Sequence, residues 1–360
     1  MLALQERWLA VVTFAVVTLA AAVGLNVMTP GDDEPNLGMM SKKTAYLRDN
    51  YQDYNVLLVG TSRTYRGVDP ILLQQVAKQQ GCDVRAFNLG IPKLRLTELR
   101  HIRDQLPPSA LENYDLILMT PLASSKIAMA NWSSNRIQYF NDWNGYLVSL
   151  IDIWHTPLTN RVPKQIYYSS MLSGAFAYRQ LGVGRLAQGL RGPTQGDPDN
   201  PSGDAFDGSA IVDFSRHGYV ALDDEPSQQF IKRGQAIKDA PGYFDTLKAE
   251  TYPVDEFRGS VADKAWLRFR RSLDYFSEFD GQTALFLPPL LTFRAQDKAL
   301  AEAAEARGVP VLNYNQADVY PELFERKHWF DYYHLGKSGA EMMTEMMAET
   351  ICSLIDKKES

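Results

Sequence analysis

Two short segments carry side chains of the types that move acyl groups, one near residue 60 and one near residue 330. The first is Gly60-Thr61-Ser62-Arg63-Thr64, directly after the apolar run Asn55 to Gly60. A serine at the carboxyl end of a strand stands where open α/β sheets bind ligands, and small neighbours let backbone N–H groups face a substrate. The same pattern also serves as plain turn chemistry. The second segment is Phe330-Asp331-Tyr332-Tyr333-His334-Leu335-Gly336. An Asp and a His spaced this way in a turn can bring the carboxylate onto one ring nitrogen. That fixes the tautomer and leaves the other nitrogen to take a proton from a hydroxyl. Alternatively, the pair satisfies local backbone donors where a helix begins. Together the segments supply a nucleophile, a base and an orienting acid. Ser62, Asp331 and His334 are the candidate catalytic residues.

Residues so far apart in sequence need a scaffold whose first and last turns meet. Asn55 to Gly60 (NVLLVG) reads as a buried parallel strand. A helix over 71–80 follows, opened by Asp69-Pro70 in cap and first-turn positions. Then come a strand at 84–88, a helix at 96–105 and a strand at 115–119. From about 122 to 259 the alternation stops, Gly, Pro and Asp become frequent, and 191–208 reads as a surface loop. The rhythm resumes with a helix at 261–279, a strand at 283–287, a helix at 295–307 and a strand at 309–313. A last helix begins at Ser338, which has capping-box spacing to Glu341. Met342, Met343, Met346 and Met347 have helical spacing and read as core. The pattern implies an α/β domain with a parallel sheet over 55–360, interrupted by an insertion at about 122–260.

From Trp8 to Met28 the chain has no charged residue, a run matching the ~20 residues a helix needs to cross a bilayer. Arg7 precedes this run beside Glu6, and Asp32, Asp33 and Glu34 follow it, with Lys42 and Lys43 further on. The bias favours an anchor with its N-terminus in the cytoplasm and the remainder outside. Residues 1–28 are then a cytoplasmic tip and anchor, and 29–54 a tether that turns helical towards Tyr51. A cleaved signal peptide ending near Ala20-Ala21-Ala22 is the alternative. Both readings export the domain. A net charge of −6 argues against nucleic acid as a partner, because no basic surplus exists to neutralise phosphates. Cys82 and Cys352 can pair in an oxidising compartment, and sequence leaves that open. The cysteines and the scattered histidines form no metal-ligand pattern, so a zinc site is not expected, and the sequence implies no metal or organic cofactor.

The order of these motifs resembles the SGNH (GDSL-like) hydrolase superfamily. Gly60-Thr61-Ser62 is similar to its nucleophile block, with Thr61 in the usual Asp position. Phe87-Asn88-Leu89-Gly90 is similar to its second block, and Asp331 with His334 to its last. More narrowly, the chain resembles membrane-anchored bacterial members related to alginate O-acetylation and teichoic-acid D-alanylation proteins. It shares with them the anchor, the Gly-x-Ser-Arg start, Leu287-Pro288-Pro289 and the run from His334 to Gly339. The likeness covers roughly residues 55–120 and 262–356. It implies a flavodoxin-like three-layer sheet, an oxyanion hole formed by the N–H groups of Ser62 and Gly90, and serine acyl-ester chemistry. The implied substrate is a polysaccharide or other acylated envelope polymer outside the bacterial inner membrane, with other envelope biosynthesis proteins as partners. The Asn of the superfamily's third block has no counterpart after the third strand, where Thr120-Pro121-Leu122-Ala123-Ser124 stands. Arg63, Asn88, Thr120 and Asn131 are candidate substrate contacts. The segment from Asn131 to Tyr146 mixes aromatics and amides, as sugar clefts do and as partly buried loops also do. Esterase and acyltransferase both fit, and a catalytically inactive glycan-binding or scaffold subunit is the alternative.

Overall fold

The computed structural model describes residues 37–122, 134–155, 161–181, 211–224, 228–249, 260–291 and 295–359, with isolated positions between 13 and 24 and between 127 and 132. The chain divides into two compact units. One comprises 1–38, 125–153 and 160–209, the other 39–124, 154–159 and 210–360.

The second unit starts with helix α1 (Met39–Asn50), strand β1 (Val56–Gly60), the short helix α2 (Ser62–Gly67) and helix α3 (Pro70–Gln79). Strand β2 (Ala86–Gly90), helices α4 (Leu96–Gln105) and α5 (Pro108–Asn113) and strand β3 (Leu116–Met119) follow. The first unit holds α6 (Asn135–Phe140), most of α7 (Trp143–His155) and α8 (Arg161–Gln180). The second unit resumes with α9 (Gln228–Asp239), α10 (Pro241–Ala249), α11 (Ser260–Asp274), β4 (Gln282–Leu287), α12 (Ala295–Glu305) and β5 (Val311–Asn313). A small hairpin, β6 (Trp329–Asp331) and β7 (His334–Leu335), precedes the long α13 (Lys337–Glu359).

The five main strands form one parallel sheet in the order β2-β1-β3-β4-β5. This is the α/β architecture the strand–helix alternation implies. Strands β1, β2 and β3 are buried along their whole length, which suits a sheet covered on both faces. Helices α3 and α13 pack together, and α1, α4, α11 and α12 form a second packed group, so the sheet lies between helical layers. The α13 stripe goes into the core as its spacing implies, with Met343, Met347 and Ile351 fully buried. Because β1 lies between β2 and β3, the chain leaves it in opposite directions, and the crevice at the carboxyl ends is the usual ligand position.

Asp69 caps α3 as expected, accepting from Ile71 N–H at 3.0 Å. Four expectations change. Residues Met39–Asn50 form a helix that buries Met39, Met40, Lys43 and Leu47, so the folded unit begins earlier than residue 55 and the tether is shorter. The last helix starts at Lys337, whose N–H is met by Asp223 Oδ2 at 2.5 Å. Ser338 turns instead to His328 Nδ1 at 3.0 Å, so it closes no capping box with Glu341. Among its described residues the insertion carries helices α6 to α10, and within 131–146 the structure has α6 and the start of α7 in place of a loop. Among the described residues no helix is long and apolar enough to cross a membrane. The run from Trp8 to Met28 lies outside the described residues except for single positions, as do 191–208 entirely.

Candidate active site

Ser62 is the first residue of α2, two positions beyond the carboxyl end of β1, with Thr61 at the cap. The turn there is sharp, and its sequence is constrained by space. A Cβ on Gly60 would lie 2.0 Å from Thr64 Oγ1 and 2.4 Å from Thr120 Oγ1. Both hydroxyls are buried and have no hydrogen-bond partner among the described residues. The Ser62 N–H, at the open end of a helix, likewise has no acceptor among them and is available to an oxyanion.

At the other end of the chain the β6–β7 hairpin folds Asp331 back onto His334. Asp331 Oδ1 accepts the N–H groups of Tyr333 at 2.8 Å and His334 at 3.0 Å. The same oxygen is 2.9 Å from His334 Nδ1. His334 Nε2 lies 2.9 Å from Ser62 Oγ. The two sequence segments thus meet within proton-transfer reach. With Nδ1–H directed at the carboxylate, Nε2 is the acceptor for the serine proton.

The electrostatics of this arrangement have two sides. Burial alone would raise the Asp331 carboxyl. The His334 hydrogen bond and charge, Arg233 and the Tyr333 N–H outweigh it and hold the group below the usual carboxylate value. Burial lowers the His334 pKa, Asp331 opposes that, and the cations Arg233 and Arg63 add to the lowering, leaving it below the usual 6.5. His334 is therefore a neutral base under ordinary conditions.

Arg233 has no signal in the sequence. It lies on α9, inside the insertion, and its Nη2 pairs with Asp331 Oδ2 and stands 3.2 Å from His334 Nδ1. Both nitrogens are donors when Nδ1–H faces Asp331, so the Arg233–His334 approach is a repulsive contact and the Asp331 pair is the bond. The hairpin is held from the same side by Phe244 of α10 against Trp329 and Tyr243 against Tyr332, with ring centroids 6.3 and 4.9 Å apart. No nearby motif could have disclosed these residues, because two helices of the insertion, α9 and α10, deliver them.

Several expected contacts take other roles. The Gly90 N–H donates to Asn88 Oδ1 at 2.9 Å, so it is engaged inside the fold rather than turned to an oxyanion. Gly90 is needed for close packing instead, since a Cβ there would sit 2.3 Å from Tyr65 N. Asn88 is fully buried and spends its amide on Thr64 O at 2.9 Å and Val68 O at 2.8 Å. It fastens the end of α2 from within the core. Thr120 is 1% exposed, with its hydroxyl beside Gly60, so it too is no surface contact. Arg63 is half-buried and its charge is felt at His334. Asn131 lies outside the described residues.

Lys43, read from sequence only as a charge beyond the anchor, is fully buried. Its Nζ donates to Asn88 O and Gly90 O, both at 2.8 Å, and stands 4.3 Å from the Tyr65 ring centroid. Burial, with the charge of Arg66, pulls its amine well below the usual lysine range. Through it α1 grips the carboxyl end of β2, next to the turn that carries Ser62. His217, with its Nδ1 at 3.0 Å from Tyr54 Oη, and His328 are structural. Among the described residues no group of His, Cys, Asp and Glu could hold a metal ion.

A five-stranded parallel α/β unit with a Ser–His–Asp relay at its strand ends is the class that fold and geometry define. No protein-family profile matches the chain, and no curated protein matches it.

Proposed function

We propose that the protein is a serine acyl-ester enzyme of the SGNH type, anchored in the bacterial inner membrane and working outside it on an acylated polysaccharide. The observation that carries this reading is the continuous relay Ser62 Oγ–His334 Nε2 and His334 Nδ1–Asp331 Oδ1, each step 2.9 Å. In the reaction, His334 Nε2 takes the Ser62 proton as Oγ bonds to the acyl carbon. The tetrahedral oxyanion is met by the Ser62 N–H. Collapse breaks the ester bond, and His334 returns the proton to the departing sugar oxygen. Water or a second sugar hydroxyl then loses its proton to His334 and bonds to the acyl carbon, the acyl–Oγ bond breaks, and His334 returns the proton to Ser62 Oγ. Water gives an esterase, and a sugar gives a transferase.

The test is turnover of p-nitrophenyl acetate and of acetylated polysaccharide by the full chain in detergent. Ser62→Ala should lower kcat at least about a thousandfold, since the nucleophile of such a relay contributes that much or more. Equal turnover by the two proteins would sink the serine mechanism.

The engaged Gly90 N–H favours a second reading, an inactive glycan-binding or scaffold subunit of a polysaccharide secretion complex. One missing oxyanion donor costs about a hundredfold or more. That reading expects no turnover by either protein and glycan affinity unaffected by Ser62→Ala.

A further inference from the structure

Within the helical insertion, α7 and the start of α8 turn large apolar residues outward, beside a small buried core of Ile153, Leu172 and Ala175. On α7 the buried residues include Gly145, Ser149 and Asp152, whereas Trp143, Leu147, Ile151 and Trp154 face outward. Trp143 is 66% exposed and Leu147 52%. Their spacing places them on one face of the helix. No charged side chain on α7 is exposed. The first turns of the neighbouring α8 repeat the pattern, with Gln165 fully buried and Val162, Ile166 and Tyr167 more than half exposed. A helix pair that met only water would gain by burying these side chains.

The unit holding most of this hairpin also holds the N-terminal stretch, of which the described Val16 and Val17 are each 60% exposed. Outward apolar faces thus occur together in the unit that contains the candidate anchor. The face on α7 is uncharged, and a tryptophan stands at each end of it, the side chain that settles at membrane–water interfaces. Lipid is therefore the occupant of fitting chemistry. The 13 residues of α7 span about 20 Å, short of the ~30 Å hydrocarbon core, so the helix would lie in the interface rather than cross it.

We infer that the α7–α8 hairpin is a second membrane-binding element, lying in the outer headgroup–acyl boundary of the bilayer. It does not rest on the ester chemistry proposed above. It limits the enzyme's reach to substrate at the membrane surface, where a polymer emerges.

The test uses the full chain in phosphatidylethanolamine–phosphatidylglycerol vesicles doped with phosphatidylcholine brominated near the top of the acyl chain, which quenches only tryptophans at that depth. W8F removes the reporter at the candidate anchor. W8F should be quenched relative to unbrominated vesicles, and W8F/W143F/W154F should lose that quenching. Quenching of the wild type but not of W8F would leave the anchor standing and overturn the hairpin's role. Undiminished quenching in W8F/W143F/W154F would also overturn it, as would a second protein copy crosslinked over Leu147 in place of lipid. Should W8F be quenched as strongly as the wild type, the hairpin stands on its own and the anchor loses its support.

Discussion

At the residue scale, His334 is the group on which a pH profile reports. Three charges face it: Asp331 from its own hairpin, Arg233 from α9 and Arg63 from α2. Burial and the two arginines lower its pKa below 6.5. It therefore becomes a usable neutral base at a lower pH than a free histidine, and the acid limb of kcat/KM should fall below 6.5. Arg233→Met removes a cation at 3.2 Å from the ring. His334 then holds its proton more tightly, so the acid limb should move upward, with less activity on the acid side. Arg63→Met should move it the same way while leaving the Asp331 ion pair intact. An acid limb unmoved in both variants would count against this account of His334. Ser62, Asp331 and His334 were legible in sequence because each sits in a local motif with a chemical signature. Arg233 was not, since its partner is 98 residues away in sequence and nothing around it marks a contact.

At the element scale, Asn88 separates a structural from a substrate-binding role. Its side chain joins β2 to the carbonyls that end α2 and also takes the Gly90 N–H. Asn88→Ala strands those buried groups, at a cost of roughly 2–4 kcal/mol. The melting temperature should fall by several degrees and kcat should drop with it. A raised KM at unchanged melting temperature would restore the substrate-contact role. Gly60→Ala should be still more damaging, because the added methyl overlaps both Thr64 and Thr120 hydroxyls. Little change in folding yield or melting temperature would refute that crowding. Strands β1, β3 and β4 were readable to within a residue because buried parallel strands are continuous apolar runs. Strand β2 starts at Ala86 rather than Val84, since Val84 packs in the core without joining the sheet ladder. The hairpin of β6 and β7 is too short to show a period. The insertion helices were missed because Trp143, Leu147 and Ile151 face outward while Ser149 and Asp152 face inward, the reverse of the pattern by which soluble helices are recognised.

At the scale of the whole molecule, one covalent bond gathers both ends of the chemistry. Cys82, just after α3, is joined to Cys352 on α13, across a separation of 270 residues. Their Cα atoms are 5.7 Å apart, and both residues belong to the core beneath the sheet. Sequence showed two distant cysteines and left the pairing open. The fold decides it by laying α13 against α3. The crosslink encloses strands β2 to β5, the insertion and the hairpin that bears Asp331 and His334. It also tethers the helix that follows that hairpin to the one that follows Ser62. Such a bridge typically contributes about 2–4 kcal/mol by restricting the unfolded chain, more for longer loops. Reduction, or a paired Cys82→Ala and Cys352→Ala change, should lower the melting temperature by several degrees. It should also make unfolding by denaturant begin at lower concentration, while Ser62–His334 chemistry persists in the fraction still folded. The bond is stable only in an oxidising compartment. Chain retained in the cytoplasm should therefore show the reduced protein's melting temperature, and addition of oxidant should restore the higher one. Identical melting curves with and without reductant would mean that α3 and α13 are held by packing alone.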